Sequence, residues 1–444
     1  MKLWDKGYDN DALIDNFTVG QDRILDLHLA PYDILGTMAH ITMLESVGLL
    51  EKADLDALLP ELRALYRDAE AGKFVIEDDI EDVHSQVELE LTRRLGDIGK
   101  KVHTGRSRND QILVDVKLFS RARIAMTVQK VHRLFTLLQE KSEAYKDVLL
   151  PGYTHLQVAM PSSFGLWFGA YAESLCDDML VMKAAFDVVN KNPLGSAAGY
   201  GSSAPLDRSL TTRLLGFADL DYNAVFAQMG RGKSERIVSF AYAAVAETLG
   251  RLAMDCCLYN SQNFGFIHLP DKMTTGSSIM PHKKNPDVFE LIRAHCNRLQ
   301  GIPNDIRLMT TNLPSGYFRD MQLLKEVYVP LFDEMDTCLD IAAYAIERME
   351  VKRGLMEDAK YKTAFSVEEV NHRVSQGVPF RDAYKQVGME IQRGEFDYHG
   401  TLHHTHEGSL GNLCNDRIKA KMDAAIASMN FQAVDTALES LLTK

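Results

Sequence analysis

Between residues 110 and 147 the chain runs without a proline or glycine, and apolar side chains recur at Ile112, Val116, Phe119, Ile124, Val128, Val131, Phe135 and Leu138. A spacing near three or four puts these on one stripe of a helix. The spacing therefore predicts a single helix of about 38 residues, roughly 57 Å long at 1.5 Å per residue. The pattern returns over residues 161–190, where Pro161 suits a first helical position and Pro193 falls just past the end. It returns again over 234–262, 286–312 and 318–349. Apolar residues in these five segments spread wider than one stripe, which predicts helices buried on several sides, packed against each other and against other subunits.

Shorter helical patterns lie on both sides. Residues 54–71 carry Leu55, Leu58, Leu59, Leu62 and Leu65 at helical spacing, and the chain after residue 351 reads as short amphipathic helices around a connection rich in Gly and His. The expected fold is all-α: a central long-helix bundle over 106–350, flanked by two smaller helical domains over 1–105 and 351–444. Two segments interrupt the central helices, 190–208 and 269–287, both rich in Gly, Ser and Pro. Loops of this length in a compact helical chain are usually functional or mobile.

Composition narrows the function. With 49 Lys and Arg against 62 Asp and Glu the formal charge is −13, and no basic run forms a footprint for nucleic acid. The six cysteines form no CxxC and no zinc or disulfide spacing, which fits a reducing cytoplasm. The first 17 residues lack an apolar core followed by a small-residue cleavage site, and no stretch reaches the roughly 18 apolar residues of a membrane span. The expectation is a cytoplasmic protein acting on small molecules, with neither nucleic acid nor membrane as partner.

Three segments could carry chemistry. In GSSIMPHKKNPD (276–287) glycine and serines offer N–H donors and close backbone approach, while Lys283, Lys284 and Asn285 add charge and polarity. Such a set can hold an anion that gains charge during a reaction, where losing one donor typically costs about 2.7 to 4 kcal/mol of barrier. The same residues also read as a flexible basic loop before a helix, with Asn285 as cap and Pro286 in the first turn. Glu290, one turn further, could orient the imidazole of His155 in PGYTHLQ (151–157) for acid–base work; a lone histidine in a loop is also an ordinary surface residue. HTGRSRNDQ (103–111) sets two guanidinium groups and small polar residues before the longest helix, either as a carboxylate clamp or as a capped helix start with solvated arginines.

Other patterns lead nowhere. GSAAGYG (195–201) lacks the preceding strand of a dinucleotide site. His403, His404 and His406 have no cysteine or HExxH context and read as an exposed loop. GxSxG and Walker sequences are absent.

GSSIMPHKKNPD matches the signature GSSxMPxKxNP of the fumarase and aspartase superfamily of lyases. HTGRSRNDQ, GYTHLQ and EDVH (81–84) resemble the argininosuccinate lyase branch, and the likeness extends from KLW at residues 2–4 through the central helices. The resemblance implies cleavage of argininosuccinate to arginine and fumarate by proton removal beside a carboxylate and expulsion of the guanidino nitrogen, with no cofactor and no metal. It implies that Ser277 is the base, that Lys283 and Asn285 stabilise the doubly charged intermediate, and that His155, oriented by Glu290, is the acid. Substrate contacts would come from Ser107, Arg108, Asn109, Thr154, Arg236, Asn285, Tyr317, Gln322 and Lys325, with Arg236 and Lys325 facing carboxylates, and from Asp26 and Asp82. Residues 17–29 depart from the family pattern, with Asp22 where a serine is common, and His282 stands where many members have Gln. The resemblance further implies a homotetramer whose active sites draw on three subunits. Competing readings are a sister activity of the superfamily, against which HTGRSRNDQ and the 317–325 segment speak, and a structural protein on the same fold, against which the retained Ser277, Lys283, His155 and Glu290 speak.

Overall fold

The computed structural model describes residues 12–443, so the KLW stretch at 2–4 lies outside the described residues. Short helices α1 (Ala12–Val19) and α2 (Asp22–Leu25) and a 3₁₀ turn lead into α3 (Ala30–Ser46), α4 (Lys52–Glu70), α5 (Val83–Leu95) and α6 (Asp97–Lys100). The long helix α7 (Arg108–Ala144) follows. A hairpin, β1 (Leu149–Thr154) and β2 (Gln157–Ser163), then joins it to α8 (Phe164–Val189). Strand β3 (Lys191–Asn192), α9 (Arg208–Leu214), β4 (Asp219–Leu220) and α10 (Ala224–Met229) form an excursion before α11 (Lys233–Asn260) and β5 (Ile267–His268). The remaining elements are α12 (Asp287–Leu299), α13 (Ile302–Met309), α14 (Leu324–Arg348), β6 (Glu350–Val351), α15 (Ser366–Ser375), α16 (Phe380–Arg393), α17 (Asn415–Ala427) and α18 (Phe431–Thr443).

The architecture is the all-α bundle expected from the pattern. Helix α7 spans 37 residues, and every apolar position on its sequence stripe is buried. It packs on α8 and α14, while α11 packs on α8, α12, α13 and α14. The ring of Phe332 on α14 meets Phe119 of α7 and Tyr242 of α11 edge-on at centroid distances of 5.1 and 5.0 Å, a geometry that adds to simple area burial. Buried polar groups on these helices are paired across the bundle: Thr127 donates to Asp336 at 2.7 Å and accepts from the Tyr242 hydroxyl at 2.8 Å. Helix α11 is long and apolar enough to cross a membrane, contrary to the reading of the sequence, but most of its apolar stretch is buried inside this bundle.

Separate apolar clusters form around residues 30–102, where Leu55, Leu58, Leu62 and Leu65 of α4 are buried, and around Val370, Ala383, Val387 and Phe396. The last two helices turn back, α17 onto α8 and α7, and α18 onto α9 and α3.

Local chemistry corrects four sequence expectations. Pro161 is not a first helical residue; it faces Pro151 in the hairpin, and α8 starts only after Ser163, whose hydroxyl accepts from Leu166 N at 3.0 Å. The segment 286–312 is two helices, because Pro303 in the first turn of α13 has no N–H to continue the ladder from α12. Residues 319–322 form a 3₁₀ turn ahead of α14 rather than part of it. The glycine-rich loop after residue 194 does follow a strand, but β3 is only two residues long and pairs with β4, far from a βαβ unit.

Candidate active site

Helix α7 begins with a complete capping box. Ser107 Oγ accepts from Asn109 N at 3.2 Å, and Asp110 Oδ1 accepts from Ser107 N at 2.8 Å. This fixes the turn that presents Ser107, Arg108 and Asn109 to a cavity of about 400 Å³. Segments far apart in sequence complete its lining: Asp22 and Asp26, Glu81, Asp82 and His84, His103, Ile112, and Tyr317, Arg319, Gln322 and Lys325. Eight of the expected substrate contacts therefore meet here: Asp26, Asp82, Ser107, Arg108, Asn109, Tyr317, Gln322 and Lys325.

The wall charges are paired. Asp82 caps α5 by accepting from Ser85 N at 2.9 Å, and its other oxygen meets Arg108, which also reaches Glu81 at 3.2 Å. Arg319 holds Glu81 at 2.7 Å, and Gln322 donates to the carbonyls of Thr18 and Val19 at 2.8 and 3.1 Å. Lys325, buried, is gripped by Asp26 at 2.6 Å and Asp22 at 2.7 Å, so its charge is already met by two carboxylates. Burial pushes the Asp22 carboxyl up to about 6, with Lys325 pulling the other way and Asp26 adding to the rise. For Asp82 burial acts upward, but His84 and Arg108 hold it below the usual carboxylate range. Burial and then Arg106 push His103 down to about 4. Beneath the cavity, His84 Nδ1 sits 2.7 Å from Asp33.

Only one of the two arginines in the 103–111 segment faces this cavity. Arg106 is buried and donates to Thr37 at 2.9 Å in the first apolar layer, so Arg108 alone lines the cavity. The helix start is capped, and the same turn lines the cavity. Asp22, Glu81, His84, His103 and Arg319 also line the cavity without having been assigned roles. Arg319 was signalled by sharing a turn with Gln322, and Glu81 by standing next to Asp82.

The remaining expected residues lie elsewhere in the chain. Thr154 and His155 are exposed at the tip of the β1–β2 hairpin, where Thr154 pairs with Gln157. The two turn residues, His155 and Leu156, have φ of 54° and 57°, the left-handed values that a two-residue hairpin demands at both central positions. Arg236 is exposed near the start of α11 and lines a different hollow with Phe240 and Arg307. Residues 275–285 form a loop closed at its base, where Asn285 N donates to Thr275 O at 2.9 Å and the Asn285 amide donates to Gly276 O at 3.4 Å. Asn285 thus ties the loop, and Pro286 occupies the cap position of α12. Ser277 Oγ accepts from the N–H groups of Ile279 and Met280 at 3.3 and 3.1 Å, donors that favour negative charge on that oxygen. Lys283 is exposed and without an ion pair among the described residues, whereas Lys284 is paired with Asp271. Glu290 is exposed in the first turn of α12 and makes no hydrogen bond to His155 within the described chain.

Among the described residues, Asp33, His84 and Asp115 form one compact group of potential metal ligands. The group is closed on itself, with His84 Nδ1 2.7 Å from Asp33 and 3.6 Å from Asp115.

The profile of the family described as Lyase matches residues 6–301. The chain is 62% identical to the argininosuccinate lyase of Parabacteroides distasonis and 60% identical to that of Phocaeicola vulgatus, in both cases over 99% of either chain. It is 38% identical to the argininosuccinate lyase of Stenotrophomonas maltophilia over 95% of this chain and 99% of that one. Among solved structures, EDDS lyase in complex with formate superposes with a TM-score of 0.75 at 20% identity, covering 98% of this chain and 95% of that one. A class II fumarase from Schistosoma mansoni gives 0.66 at 16% identity, over 93% and 95%. These last two likenesses concern the fold.

Proposed function

The chain belongs to the Lyase family, in its argininosuccinate lyase branch, and from that premise we propose how its residues divide the work. The activity is the reversible elimination that cleaves argininosuccinate to arginine and fumarate, and it serves arginine biosynthesis. The observation that carries this is identity of about 60% over 99% of both chains with relatives bearing that activity in their names. Purified protein incubated with argininosuccinate should release fumarate, read by its ultraviolet absorbance, and should leave malate, adenylosuccinate and a mixture of fumarate with ammonia unchanged. No fumarate from argininosuccinate would overturn the activity.

In the mechanism we propose, the proton removed lies on the carbon beside a succinyl carboxylate and is barely acidic, so a neutral hydroxyl cannot take it unaided. Ser277 is the base, its oxygen prepared for charge by the Ile279 and Met280 N–H groups. Lys283 and Asn285 face the carboxylate as it gains its second negative charge. His155, oriented by Glu290, protonates the departing guanidino nitrogen. Ser107, Arg108, Asn109, Asp26, Asp82, Tyr317, Gln322 and Lys325 bind substrate at the charged cavity, joined by Thr154 and Arg236. Lys325 acts there as the centre of an acid-flanked group with Asp22 and Asp26 rather than as a bare cation.

The active enzyme in this reading is a cytoplasmic homotetramer, each site taking the cavity from one subunit, the 154–155 hairpin tip from a second and the 276–287 loop from a third. Support comes from the separation of these segments within one chain and from large apolar side chains left exposed on the central helices, among them Leu180, Phe240, Met254, Leu291 and Ile341. The domain edges near 105 and 350 then divide the chain into an N-terminal part carrying one cavity wall, the shared bundle and a C-terminal part. Sedimentation at low concentration, with activity followed in parallel, tests the assembly.

A further inference from the structure

The glycine-rich loop after β3 takes no part in the mechanism above, yet it is tied to the cavity at two places. Asp110, fully buried, closes the α7 capping box with Oδ1 and accepts with Oδ2 from Gly195 N and Ala197 N, both at 2.9 Å. From the other side Gln228 donates its side-chain amide to Ala197 O at 3.3 Å and packs so closely on Gly199 that an added Cβ would lie 2.6 Å from its Cγ. Farther along, the Tyr200 hydroxyl comes within 3.7 Å of where a Cβ on Gly316 would stand, next to the cavity residue Tyr317. One carboxylate thus joins the turn bearing Ser107, Arg108 and Asn109 to a loop whose Tyr200 lies beside Gly316.

We propose that Asp110 is a positioning residue for substrate binding: by holding the loop at Gly195 and Ala197 while closing the α7 cap, it sets Ser107 and Asn109 at a fixed distance from Tyr317. The inference rests on the reading that residues 107–109 and 317 contact argininosuccinate. Both carboxylate oxygens of Asp110 face N–H donors. An Asn at this site must turn its NH₂ toward one set of them, freeing either the cap or the loop with little change in volume.

The test is steady-state kinetics on the full-length protein carrying Asp110→Asn, Gln228→Leu or Thr127→Val. Gln228→Leu loosens the loop while leaving the Asp110 hydrogen bonds in place, so it carries the test if Asp110→Asn fails to fold. Thr127→Val removes two buried hydrogen bonds from the middle of the same helix, far from its cap, and controls for thermal loss alone. Asp110→Asn is expected to raise KM about ten- to hundredfold with kcat within about threefold, and Gln228→Leu to raise KM in the same sense by less, since a freed donor set weakens positioning rather than chemistry. The Thr127→Val variant should lose thermal stability with KM unmoved. Unchanged KM in the folded loop variants, or an equal rise in Thr127→Val, overturns the positioning role. A wild type that is inactive on argininosuccinate overturns instead the reading beneath it.

Discussion

At the residue scale the site depends on groups whose environment differs from water. Ser277 has two backbone donors aimed at its oxygen. Replacing it by Ala is expected to lower kcat by about a thousandfold or more with substrate affinity nearly intact, because the loss falls on the transition state. Single-turnover rates beside calorimetric binding check this, and near-normal turnover would remove serine from the role of base. Asp22 makes a second prediction. Burial pushes its carboxyl up to about 6 in the folded protein, against about 3.9 for an ordinary aspartate, so between those limits the native state holds a proton that the unfolded chain has released. Stability from this group is present below pH about 4 and is lost as pH rises through 6. Relative to Asp22→Asn, the wild type should lose on the order of 1 to 3 kcal/mol across that window. Thermal melts of both proteins from pH 4.5 to 7.5 measure it, and parallel curves would show that Lys325 keeps Asp22 ionised throughout.

At the element scale, the β1–β2 hairpin holds two side-chain-bearing residues in left-handed conformation at its tip, one of them the proposed acid. A β-carbon is disfavoured there, and strain of this kind persists where surrounding structure holds it. Leu156→Gly should relieve about 1 kcal/mol of it while loosening the ring of His155. The expected outcome is a slightly higher melting temperature with kcat reduced severalfold; an unchanged kcat would mean that the turn holds His155 without help from the Leu156 backbone. The hairpin itself was not legible in the sequence, where residues 151–157 read as a break between helices and Pro161 as a first helical residue. The cap of α7 was legible because Ser-x-x-Asp at a helix start satisfies its own orphan donors locally.

At the scale of the whole molecule, the proposed three-subunit site predicts complementation. Ser277→Ala and Asn109→Leu, each inactive alone, should regain a measurable fraction of activity when unfolded and reassembled together, because some mixed sites receive an intact loop and an intact cavity turn. Mixtures no more active than their parents would place both residues in a site made by one subunit. A verified monomer should be inactive even when folded, and activity that survives dilution past the tetramer's dissociation would contradict the shared site.

The long helices α7, α11 and most of α8 and α14, the apolar stripe of α7, the α7 cap and the signature segments were determined by local sequence, since helical periodicity and capping are satisfied within a few residues. What depended on contacts between distant residues was not. No spacing along the chain foretold that Lys325 would be enclosed by Asp22 and Asp26 some 300 residues earlier, that Arg106 would turn away from the cavity while Arg108 faced it, or that Asp110 would fasten a glycine-rich loop some 85 residues later. Burial and ion pairing are set by which segments meet in space, so the charges that shape this cavity became readable only once the helices were packed.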